Sequence, residues 1–268
     1  LGKSIVITSG KGGVGKTTIV GNIGTGLASL GKSVALVDVD IGLRNLDLVL
    51  GLENRIVYNL MDVIDKTCKL SQALVKDKKF KDNLVLLPAA QTRLKEELKV
   101  EDLKWVINDL KKKYDYVLLD SPAGIEHGFR MSTLSSDEAI IVTTPEITAI
   151  RDADRVIGLL ESMEIFDPQL IINRVKFDMV KKGEMIHWKD IEEILSIKVI
   201  GIVPEDPYIT ISTNIGEPAV LNDSSIGGRE LKNIVRRMLG EDIPLTIYQE
   251  KESFIDKISN FFKREKKQ

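Results

Sequence analysis

The sequence predicts an α/β fold, a doubly wound and mostly parallel sheet with helices on both faces. Three observations predict it. Short apolar runs rich in Val, Ile and Leu alternate with longer stretches of helical periodicity. The first run passes through a glycine-rich turn directly into a helix pattern. Two later runs end on aspartate, and α/β sheets place ligands beyond the carboxyl ends of their strands. The 268 residues suit one large domain or two small ones. No repeat, low-complexity stretch or domain boundary precedes Gly240, so 1–240 reads as one domain, 241–252 as a connector and 253–268 as a tail.

The first strand is expected at 4–9, an apolar β-branched run. After it come Gly10, Lys11, Gly12, Gly13, Val14, Gly15, Lys16, Thr17 and Thr18, then a helix over 16–30 stopped by Gly31. Strand, glycine-rich turn, Gly-Lys-Thr and helix make a P-loop. The chemistry needs these residue types. Glycines let consecutive N–H groups curl around phosphate oxygens, and the helix start aims its positive end at the anion. Lys16 would reach the β- and γ-phosphates, and the Thr17 hydroxyl would ligate Mg²⁺. This reads as a nucleoside triphosphate site.

A second buried strand over 33–38 ends on Asp38, with Asp40 just beyond, both placed beside the phosphates. Such a pair can hold Mg²⁺ through water and orient an attacking water, the part given to Asp40. Short helices are expected at 59–65 and 69–75, a strand at 83–88, and a helix over 100–113 whose apolar stripe is core packing. The strand before Asp120 is a Walker B arrangement whose carboxylate contacts the Mg²⁺ shell. In the following Ser121-Pro122-Ala123-Gly124, Gly124 is free to offer its N–H to the γ-phosphate. A strand at 138–143, a helix over 147–163, strands at 170–174 and 199–204 and a helix over 226–239 complete the domain. The charged face of Arg151, Asp152, Asp154 and Arg155 reads as solvated surface or as a partner site.

In the tail, Phe254, Ile255, Ile258, Phe261 and Phe262 fall on one face of a helix. Lys257, Lys263 and Arg264 flank that face, and Lys266 and Lys267 trail it. Such a helix fits the interface of an anionic membrane, the alternative being a helix docked on the protein's own surface.

Composition narrows the classes. A formal net charge of −2 argues against general polyanion binding. The single Cys68 excludes an intrachain disulfide, and two histidines are too few for a histidine-built metal site. No apolar run approaches the ~18 residues of a transmembrane helix.

Lys11 is the unusual feature, because an ordinary P-loop leaves that position free. With it, the chain resembles the ParA/MinD group of deviant Walker A ATPases, specifically its division-site branch. The resemblance is carried by 10–18, 38–47, 51–58, 120–124 and 216–218 and by the basic amphipathic end. It implies an ATP- and Mg²⁺-dependent homodimer in which Lys11 acts on the partner's nucleotide. Asp38 and Asp120 support the metal's water shell, and Asn45 contacts the cofactor. Asn173, Arg174, Pro204, Glu205 and Asp206 hold the adenine. The implied partners are a MinC-type inhibitor of the division ring and a MinE-type or other topological factor. The implied location is cytoplasmic, peripheral on the inner face of a bacterial membrane, or a plastid stroma. The rival reading is a DNA-partitioning ATPase, which needs a basic surface on the body rather than on an apolar-faced tail; nucleic acid is not expected. An electron carrier of the nitrogenase-reductase kind fails on cysteine count.

Overall fold

The central strands form from β-branched, apolar runs that can bury both of their faces, whereas the edge strand Val75–Asp77 is a short, partly exposed Val-Lys-Asp. The computed structural model describes residues 1–246 of the chain. The strands are β1 Lys3–Thr8, β2 Val34–Asp38, β3 Val75–Asp77, β4 Lys81–Leu87, β5 Tyr116–Asp120, β6 Glu138–Thr143, β7 Gln169–Val175 and β8 Val199–Pro204. They form one sheet in the order β3-β4-β2-β5-β1-β6-β7-β8. Every pairing is parallel except that of the edge strand β3 with β4. The sequence changes winding direction at β1, which lies between β5 and β6, so a crevice opens beyond its carboxyl end.

The helices are α1 Lys16–Ser29, α2 Leu46–Val49, α3 Leu60–Ile64, α4 Leu70–Ala73, α5 Val100–Lys111, α6 His127–Leu134, α7 Ile147–Ser162, α8 Phe177–Lys182, α9 Trp188–Leu195, α10 Pro207–Asn214 and α11 Ile226–Met238. Strand side chains alternate between two cores. Ile5, Ile7, Leu36, Leu118 and Ile171 face one, where α1 contributes Ile19, Ile23 and Leu27 and α11 contributes Leu231, Ile234 and Val235. Val6, Val37, Leu119 and Ile172 face the other, against α5, α6, α7 and α9.

One expectation needs correction. The helix expected over 69–75 is a single turn, α4, and Val75 instead opens β3 opposite Leu86. Pairing with the open edge of β4 outweighs the local helical pattern there. The connector expected from 241 is partly docked. Arg237 donates to the carbonyls of Ile243 (2.8 Å), Pro244 (2.7 Å) and Ile200 (2.9 Å) and pairs with the fully buried Glu230 at 2.7 Å. Leu245 then packs against the core on the opposite face from α11, so the chain rounds the free edge of β8. The predicted membrane residues Phe254, Ile255, Lys257, Ile258, Phe261, Phe262, Lys263 and Arg264 lie outside the described residues. Among the described residues no helix is long and apolar enough to cross a membrane.

Candidate functional site

The loop between β1 and α1 bends where the glycines allow it. Gly13 and Gly15 have φ of 78° and 95°, and Gly15 is the N-cap of α1 with its amide end open. A Cβ on Gly15 would stand 2.5 Å from the Asn173 amide nitrogen, so that position is closed to side chains by packing as well. Lys16, the first residue of α1, is buried to 8 % exposure with its ammonium beside Asp120.

Register brings the carboxylates together. β2 and β5 are neighbours, and Asp38 is the strand partner of Asp120. Both are almost fully buried. Burial first, then the Asp120 charge, pushes the Asp38 carboxyl well above its usual range, against hydrogen bonds from the Asp40 (3.0 Å) and Leu46 (3.4 Å) N–H groups. Burial likewise raises Asp120 to about 6, held back by the Lys16 charge and a hydrogen bond with Thr17. One Asp120 oxygen, Oδ1, is buried with no partner. A buried oxygen without a donor, a threonine hydroxyl and a second carboxylate form a hard-oxygen donor set that fits Mg²⁺. Among the described residues no cluster of three or more His, Cys, Asp or Glu could hold a metal ion.

Asp40 is partly exposed beyond the strand end, with the Lys95 ammonium 3.3 Å away. Arg44 and Asp47 form a pair at 2.9 Å, and between them Asn45 is exposed at the start of α2. Lys11 reaches Glu146 at 2.8 Å and the Thr148 hydroxyl at 3.3 Å, both on its own chain. Gly124 differs from expectation. Its N–H donates to the Ser9 carbonyl at 3.1 Å, so offering it to a phosphate requires that bond to break.

A cleft of about 240 Å³ opens next to the loop, lined by Gly15, Thr18, Asn173, Arg174, Pro204, Glu205 and Asp206. The β7–β8 register slips between Ile172 and Val175, and there Arg174 adopts φ of 58° at the rim. Asn173 donates to the Val14 carbonyl at 2.7 Å, tying the cleft to the loop. Glu205 pairs with Lys176 at 3.1 Å. The Asp206 carboxylate is occupied by the fold itself. It accepts from Tyr208 N–H, Ser225 Oγ and Gly227 N–H, fixing the starts of α10 and α11. Those bonds outweigh burial and keep its carboxyl below the usual range. Sequence reasoning missed the outer wall, Ile209, Thr210, Thr213 and Asn214 of α10. It also missed Ser9, Lys95 and Glu146. Glu146 had a usable signal, since it follows the carboxyl end of β6.

The AAA-domain family matches residues 2–172. The septum site-determining protein MinD of Bacillus subtilis is 50 % identical over 264 residues, 98 % of each chain. The chain belongs to the MinD family of septum site-determining ATPases. The solved MinC:MinD cell division protein complex of Aquifex aeolicus matches with a TM-score of 0.86 and 50 % identity over 92 % of this chain and all of that one. The Pyrococcus horikoshii MinD complexed with Mg-ADP matches with a TM-score of 0.81 and 31 % identity, covering 91 % of this chain and 100 % of that one. The MinD fold therefore covers about nine-tenths of this chain.

Proposed function

We propose that this MinD-family ATPase binds Mg-ATP at the β1–α1 loop, dimerises on it, and uses hydrolysis to time its stay on the membrane. The observation that carries the reading is the buried Asp120 Oδ1 without a donor, beside Thr17, Lys16 and Asp38. Thr17, Asp38 and Asp120 would hold Mg²⁺, which supplies positive charge against the phosphates when bound. Lys16 and the loop amides, from Gly10 to Thr18, bind the phosphates. Asp40, beyond the strand end and only partly covered, orients the attacking water. Asn173 and the 204–206 turn supply the nucleoside side of the cleft, Asp206 through the geometry it imposes rather than through its carboxylate.

Lys11 acts on the nucleotide of a second subunit. Its bond to Glu146 joins two half-exposed groups, and such pairs are worth about 0–1 kcal/mol, too little to hold it against a phosphate. The dimer then presents two tails to an anionic membrane, and paired weak anchors gain avidity by a factor on the order of 10²–10⁴. A MinC-type inhibitor is the proposed partner, supported by the Aquifex complex, with a MinE-type or other topological factor setting position. The test is binding and turnover by point variants. Lys16→Ala should bind no ATP, whereas Asp40→Ala should dimerise with ATP and not hydrolyse it. Wild-type partner-stimulated turnover by Asp40→Ala would remove Asp40 from catalysis.

A further inference from the structure

The stretches 51–58 and 216–218, prominent in the sequence, lie outside the phosphate cradle, yet the fold brings their first residues into backbone contact. Gly51 follows α2 and Gly216 follows α10, with φ of 62° and 67°. Each closes its helix in the left-handed conformation, Gly51 donating to Leu48 O (3.1 Å) and Gly216 to Thr213 O (3.2 Å). A Cβ on Gly51 would stand 2.8 Å from the Gly216 carbonyl oxygen. One on Gly216 would stand 2.7 Å from the Gly51 nitrogen and closer still to its Cα. Both obstacles are backbone, so no side-chain rotation relieves them.

The two helices joined here border different halves of the site. α2 ends the stretch that begins at Asp38, whose carboxylate accepts the Leu46 N–H. It is pinned to α1, where Val49 Cγ1 lies 2.6 Å from the place a Cβ on Gly21 would occupy, and Leu46 and Leu50 are buried. α10 is the outer wall of the cleft, opposite Gly15 and Thr18. We infer that the Gly51–Gly216 contact is a positioning device that sets the distance of α10 from the P-loop helix. It thereby sets the fit of the nucleoside half of the ligand and ties that half to the Asp38 stretch. The inference rests on the nucleotide reading of the cleft and adds residues that touch neither phosphate nor base.

Asparagine tolerates positive φ but carries a Cβ, so Gly216→Asn and Gly51→Asn isolate the contact from backbone strain. Gly183→Asn, at φ of 75° with nothing within 4 Å, is the control. Dissociation constants are measured for Mg-ADP and for Mg-tripolyphosphate, which has no nucleoside. The expected result is ADP binding weakened about tenfold or more in both contact variants, tripolyphosphate binding unchanged, and the control like wild type. In the wild type, ADP and not tripolyphosphate should slow amide exchange at 48–51, across the contact from α10. Equal losses for the two ligands, no loss for either, or no ADP-specific protection at 48–51 would overturn the inference. A wild type that binds tripolyphosphate but not ADP would instead overturn the nucleotide reading itself.

Discussion

In the proposed site Asp120 has to be buried behind the phosphates and charged to hold a cation, and the two demands oppose each other. Burial has raised its carboxyl from 3.8 to about 6. Without metal, the folded protein keeps that proton after the unfolded chain has lost it. The unfolded state then binds fewer protons, so this group's contribution to stability falls as pH rises from 3.8 to about 6. Asp38, raised for the same reasons, acts in the same direction. Asp120→Asn should therefore gain melting temperature relative to wild type as pH rises through that window in EDTA. With Mg-ATP present the order should reverse, because the variant has lost a charged ligand. Parallel melting profiles for the two proteins in EDTA would contradict the assignment. Asp38 and Asp120 were legible in the sequence because each ends an apolar run, and the parallel register then makes them neighbours. The pairings of Asp40 with Lys95 and of Lys11 with Glu146 were not, since they join residues 55 and 135 positions apart, even though the place of Glu146 after β6 was readable.

Strong elements were legible and most short ones were not, the exception being α3, expected at 59–65 and found at Leu60–Ile64. α1, α5, α7 and α11 follow long periodic stretches and appear within two residues of their expected ends. α6, α8, α9 and α10 went unread because a turn or two of helix leaves little periodicity; the local Asp206 cap with Pro207 at the first helical position was the one signal for α10. That omission hid the outer wall of the cleft. The docked connector was hidden too, because the carbonyl bonds of Arg237 leave no pattern in the chain. The buried Glu230–Arg237 pair predicts a large effect at this scale. Arg237→Ala removes the ion partner of the fully buried Glu230, leaving it the Asn233 amide at 3.3 Å, and should cost about 3–5 kcal/mol in denaturant unfolding. A loss below about 1 kcal/mol, the range of exposed pairs, would mean that the pair does not hold the connector. Lys11 tests the opposite case. Lys11→Ala should leave nucleotide binding by the monomer measurable and eliminate the ATP-dependent dimer in light scattering; a variant that dimerises normally would return Lys11 to its surface pair with Glu146.

At the scale of the whole molecule, the nucleotide site lies at the carboxyl ends of the strands, whereas Arg237 fixes the connector near Ile200, at the start of β8. In the proposed function, ATP is coupled to the membrane through the number of tails presented together. The tail's part is testable by itself. Phe261→Glu and Ile258→Glu each charge the middle of the apolar face and should release the protein from anionic vesicles with ATP binding intact. Lys263→Ala with Arg264→Ala should weaken vesicle binding by about 1 kcal/mol per charge, fading as salt rises. Unchanged flotation of both glutamate variants would remove the anchor. The most direct measurement is co-sedimentation of the full chain with anionic vesicles in Mg-ATP, in Mg-ADP and without nucleotide. The account predicts strong binding with ATP and weak binding in the other two states; equal binding in all three would contradict it.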